Sequence, residues 1–118
     1  MILIIGGAYQ GKLEYAQSRF GHMQDIKIVK YVDKWLLELV RENADITQAT
    51  EQFLADNINN IVICNDISCG IVPTDPILRG WREEVGRFMA ILAKHSNEVV
   101  RLYCGIPITL KGENTNEE

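Results

Sequence analysis

Eight residues near the amino terminus, Gly6-Gly7-Ala8-Tyr9-Gln10-Gly11-Lys12-Leu13, have the types and spacing for anion chemistry. They nearly reproduce G-x-x-x-x-G-K-[ST], the phosphate-binding loop. In such a loop, small residues let main-chain N–H groups converge on phosphate oxygens. The positive end of the following helix reinforces them, and the lysine adds a point charge for the outer phosphates. All eight residues are therefore candidate nucleotide-binding residues, with Lys12 in a catalytic role as well. Leu13 departs from the pattern. A hydroxyl there normally ligates the magnesium ion that bridges the outer phosphates, and leucine offers no oxygen. The bland alternative is a glycine-rich turn with a surface lysine.

The elements that must position this loop are legible on both sides of it. Met1 to Ile5 is an apolar run ended by Gly6-Gly7, which suits a strand buried on both faces. A short helix is expected from Lys12 to Phe20, stopped at Gly21. IKIVKYV (Ile26 to Val32) is β-rich and predicts a second strand. Asp33 then caps a helix carrying Leu36, Leu37 and Val40 on one face. Another helix starts near Asp45 or Thr47 and turns Ala49, Phe53 and Leu54 inward. IVIC, from Ile61 to Cys64, reads as an interior strand that ends at Asn65-Asp66.

Asp75-Pro76 is a strong helix start, because a capping carboxylate precedes a residue whose missing N–H is harmless there. From it, Ile77, Trp81, Val85, Phe88 and Leu92 form an apolar stripe running to about His95. EVVRLYC predicts the last strand, followed by GIPITLK. Strands alternating with helices imply a parallel sheet covered on both faces, with ligands at the carboxyl ends of the strands. Residues 1–111 are expected to form one domain and residues 112–118 a flexible polar tail.

Bulk properties narrow the function classes. The 118 residues carry a net charge of −4, so the global field favours neither nucleic acid nor an anionic membrane. No apolar run approaches a membrane span. Cys64, Cys69 and Cys104 are odd in number and lack a C-x-x-C pair, which argues for reduced thiols and a cytoplasmic setting. Asp66, just past a buried strand, is a candidate to hold magnesium or orient a hydroxyl nucleophile. The alternative for Asp66 is a turn residue bonding nearby N–H groups.

The ordered set Asn65, Asp66, Gly70-Ile71-Val72-Pro73, Asp75, Arg79, Arg82, Gly86-Arg87, Ala93 and Gly105-Ile106-Pro107 resembles the second half of a known family. That family is the adenosylcobinamide kinase / adenosylcobinamide-phosphate guanylyltransferases, and the opening GGA and GK match its start as well. The resemblance implies a three-layer α/β parallel-sheet P-loop fold. It implies ATP or GTP with Mg2+, and phosphoryl transfer to the hydroxyl of a corrinoid side chain, adenosylcobinamide being the candidate partner. It also implies a homo-oligomer, trimeric in the family. Asp66 takes the place where the family usually has glutamate. Gly70 and Pro73 become weak candidates for ligand contact, Arg82 for phosphate or subunit contact, and Asp33 for metal.

Guanylyl transfer needs a histidine nucleophile, and the segment that bears it in the longer members has no counterpart here. His22 reads as a loop histidine and His95 as a helix-end cation. Two rival functions remain: a non-catalytic nucleotide or corrinoid sensor, and a kinase for another small alcohol.

Overall fold

The computed structural model describes residues 1–67 and 74–112. Among the described residues nine elements follow one another: β1 (Ile2–Gly6), α1 (Lys12–Phe20), β2 (Ile28–Val29), α2 (Val32–Arg41), α3 (Ile46–Asp56), β3 (Ile61–Asn65), α4 (Pro76–His95), β4 (Glu98–Tyr103) and β5 (Ile106–Lys111). They build one five-stranded sheet in the order β2-β3-β1-β4-β5. β1 lies between β3 and β4 and is parallel to both, and β2 is parallel to β3. The expected three-layer α/β arrangement is the one observed.

The layers follow from the apolar patterns. On one face Ala16 and Phe20 of α1 pack on Ile4, Ile61, Ile63, Val100 and Leu102. On the other, Leu36 of α2 and Val85, Phe88 and Leu92 of α4 cover Leu3, Val62, Cys64 and Val99. Trp35, Phe53 and Phe88 join α2, α3 and α4, with ring centroids 5.2–5.9 Å apart. Two of the three helix starts read from capping residues hold: Asp45 accepts from Gln48 N–H, and Asp75 from the N–H groups of Ile77 and Leu78.

Four expectations need correction. The second strand is only Ile28–Val29, because Tyr31 adopts a left-handed backbone (φ 66°) that ends the extended run and starts α2. Asp33 does not cap that helix. It lies inside the first turn and is buried, while Tyr31 occupies the cap position without a side-chain bond. Ile77 is 46% exposed, because the twenty-residue α4, about 30 Å long, overruns strands of five or six residues. Finally, β4 is not the last strand. Two residues, Cys104 and Gly105 with φ of 52° and 77°, turn the chain back into β5. A connection that short can only give an antiparallel neighbour, so the sheet is parallel except at this edge.

The connections place the site. After β1 the chain leaves over one face as α1, and the helix after β3, α4, covers the other. Those two strands are adjacent, with Gly6 paired to Asn65 at their carboxyl ends. A crevice opens at such a reversal, where ligands bind in parallel sheets.

Candidate functional site at the glycine loop

Gly6 ends β1 where β4 comes close: a Cβ built on it would lie 2.6 Å from the Leu102 carbonyl oxygen. That gap, with φ at 153°, leaves no room for another residue. The chain then curls through Tyr9 (φ 61°) and Gly11 (φ 87°) into α1. Gln10 ties the curl to the β4–β5 turn twice. Its carbonyl accepts from Gly105 N–H at 3.1 Å, and its side-chain oxygen accepts from Cys104 N–H at 2.5 Å.

Gly11 is the cap residue of α1, and no side chain caps that helix. The first-turn N–H groups therefore keep their donor capacity, at the positive end of the helix. The same residues border a cavity of about 480 Å3, lined by residues 9–14 together with Lys30, Tyr31, Asp33, Ile63 and Asn65. The volume is in the range of small-molecule sites. Nucleotide-sized ligands fall within it.

Lys12 is only 6% exposed, and its ammonium donates to the Gly7 carbonyl. Burial lowers its pKa from the ordinary 10.5, and the nearby Asp33 carboxylate pulls the other way. Asp33 is itself buried. Its carboxylate accepts from the Asn65 amide at 3.4 Å, and its main-chain carbonyl accepts from the Trp81 indole at 2.6 Å. The indole bond fixes the start of α2 against α4. Cys64, buried in the core nearby, has its thiol pushed up to about 12 by burial, then by Asp33 and Asp66, and does not line the cavity.

The structure thus brings Tyr9, Gln10, Gly11, Lys12 and Leu13 of the loop to one cavity with Asp33, whereas Gly6, Gly7 and Ala8 do not line it. Asp66 sits one residue beyond the Gly6–Asn65 pair, its N–H donating to the Gly6 carbonyl at 2.8 Å, and does not line that cavity. Arg82 is half-buried on α4 and likewise outside the lining. Gly70 and Pro73 lie outside the described residues. Leu13 packs its side chain against the α1-face core, anchoring the helix. Arg87 bonds to Glu83 and Glu84, a solvated-face role. Lys111 donates to the carbonyls of Ala93 and Lys94 and so closes the carboxyl end of α4.

Sequence reasoning missed Asn65, Lys30 and Tyr31 as lining residues. Asn65 could have been flagged by its place at the end of an interior strand. Nothing in the sequence signals a left-handed tyrosine before a helix.

Fold and crevice together define a P-loop-type α/β domain: a parallel sheet, a glycine loop between β1 and α1, and a buried lysine at the loop's end. A family model for cobinamide kinase / cobinamide phosphate guanyltransferase matches residues 27–110. The chain belongs to that family, one of cobalamin biosynthesis. The matched span opens after α1, so the reading of the glycine loop rests on its own geometry. No curated protein matches the sequence. Among the described residues, no helix is long and apolar enough to cross a membrane.

Proposed function

We propose that the chain seats the phosphates of ATP or GTP at residues 6–13 and transfers the terminal phosphoryl group to the hydroxyl of a cobinamide side chain. The acceptor oxygen bonds to the γ-phosphorus and the β–γ bridging bond breaks. The hydroxyl proton leaves to a base, giving a corrinoid phosphate ester and a nucleoside diphosphate. Lys12 and the first-turn N–H groups of α1 meet the charge on the transferred group.

The observation that carries this reading is the pairing of a buried ammonium with an uncapped helix start at one cavity. An ammonium whose partial burial already depresses its pKa gains when an anion arrives.

Magnesium binds through one or two carboxylates, water and substrate phosphates, so it needs no dedicated protein cage. Asp33, a buried carboxylate on the same cavity as Lys12, fits the role, and Asp66 is the second candidate. The ion, when bound, neutralises charge on the outer phosphates. Leu13 contributes nothing to it.

Guanylyl transfer through a histidine is not part of this proposal. His22 and His95 are exposed, and neither lines the cavity. Leu13, half-buried against the core where a metal-binding hydroxyl would be useful, favours a second reading: a sensor that binds nucleotide without turning it over.

Incubation with ATP or GTP, magnesium and adenosylcobinamide, followed by mass analysis of corrinoid and protein, decides among these. A corrinoid heavier by one phosphoryl group is the expected result. Nucleotide binding with unchanged corrinoid selects the sensor, phosphorylation of another small alcohol alone selects a different kinase, and nucleotide bonded to protein restores guanylyl transfer.

A further inference from the structure

We infer that Tyr31, flanked by Lys30 and Lys34 and sharing the cavity with Tyr9, is the platform on which the purine base of the nucleotide stacks. The inference rests on the nucleotide reading above and adds a base subsite to its phosphate site.

Tyr9 and Tyr31 both line the glycine-loop cavity, and both leave their rings to water, at 103% and 58% exposure. A single exposed tyrosine needs no explanation. These two share a further property. Each holds a left-handed backbone, φ 61° and φ 66°, which a bulky residue adopts only at a cost in stability. Tyr31 also takes the cap position of α2, where Ser, Thr, Asp or Asn would each satisfy a free N–H that tyrosine cannot. Neither side chain is buried, so apolar packing does not offset that cost. Sequences that break local rules in this way do so at sites of function.

The surroundings of Tyr31 say what the ring faces. The ammonium groups of Lys30 and Lys34 lie 5.3 and 5.0 Å from its centroid, near enough for cation–π attraction to order the ring. Lys30 also lines the cavity. Both ammonium groups sit over the ring, so a flat heterocycle that stacks there takes the place of one and offers it the acceptors on its own edge. A purine offers N7 in every case, and guanine adds O6. Stacking of a base on an aromatic side chain tolerates any base but grows with ring area, which favours purines over pyrimidines. The loop supplies the phosphate end of the same cavity.

The test is calorimetric titration of ATP, GTP, CTP and inorganic tripolyphosphate into the parent, Tyr31→Ala and Tyr31→Phe. Tripolyphosphate has no base, so it reads the loop alone. Tyr31→Ala should weaken ATP and GTP by about fivefold or more and leave tripolyphosphate unchanged, while Tyr31→Phe stays within about twofold of the parent. The parent should prefer both purines to CTP. Equal weakening of tripolyphosphate in Tyr31→Ala overturns the inference, because the ring then acts through the fold. Unchanged purine affinity overturns it as well. A parent that binds tripolyphosphate but no nucleotide removes this subsite together with the nucleotide reading. Nucleotide binding that ignores Tyr31 removes only the subsite.

Discussion

Lys12→Met separates what the ammonium does for the ligand from what it does for the fold. Methionine keeps an unbranched apolar stem in the same space and removes the charge. In the empty protein two effects oppose each other. The bond to the Gly7 carbonyl is lost, worth about 1 kcal/mol, while a desolvated charge is relieved. The net change should stay within about 1 kcal/mol, or about 4 °C in Tm for a chain of this length. Binding has no such compensation. A charge-assisted bond to phosphate contributes about 2–3 kcal/mol, so affinity for tripolyphosphate should fall about 30- to 150-fold.

The pH profile gives the argument a third arm. The folded chain releases the Lys12 proton below 10.5 and the unfolded chain near it. Between those points the unfolded state holds more protons, so this residue's contribution to stability rises with pH, and the rise should vanish in Lys12→Met. Titration calorimetry and denaturant melts of both proteins from pH 8 to 11 supply all three readouts. Unchanged phosphate affinity, or a loss in Tm beyond about 10 °C, would show the ammonium to be a structural tie and refute the reasoning.

Other consequences can be checked on the same preparations. Gly6→Ala forces a Cβ against the Leu102 carbonyl and should cost about 2–4 kcal/mol, lowering Tm by about 8–16 °C in thermal melts; a shift under 3 °C would contradict it. Gly86→Ala, in α4 with nothing within 4 Å of its Cβ position, should raise Tm by about 2–4 °C through higher helix propensity. Cys64 ionises at 9.0 in the unfolded chain and about 12 in the folded one, so stability should fall by about 2 kcal/mol between pH 9 and 10.5. That fall should be absent in Cys64→Ala, measured by urea melts. Asp75→Ala leaves the N–H groups of Ile77 and Leu78 without their acceptor and should lower stability by about 1 kcal/mol in the same melts.

The parts of the fold legible in the sequence are those fixed by neighbours a few residues apart. The apolar stripe of α4 and its Asp75-Pro76 start, the Asp45 start of α3, and the run from Lys12 to Phe20 all depend on spacing within one helix. What stayed hidden depends on approaches across the chain. Asp33 reads as a cap because its type suits one. Its observed place, under the Trp81 indole and beside Asn65, comes from residues 48 and 32 positions away. Asp66 and Asp33 are indistinguishable as carboxylates near strand ends, and only the path of α2 shows which one reaches the cavity with Lys12. The β5 strand was missed because GIPITLK follows a turn of two residues, while every other strand connection here contains a helix.

The double tether from Gln10 to the Cys104–Gly105 corner has a consequence for how this pocket behaves when nothing occupies it. A glycine-rich arc left to itself would wander, and an incoming anion would have to freeze it. Here the sheet's far hairpin keeps the arc in place, and Lys12 rests on the Gly7 carbonyl. Under the proposed function, capture of an anion amounts to swapping one partner of an ammonium group, with little rearrangement of the chain around it.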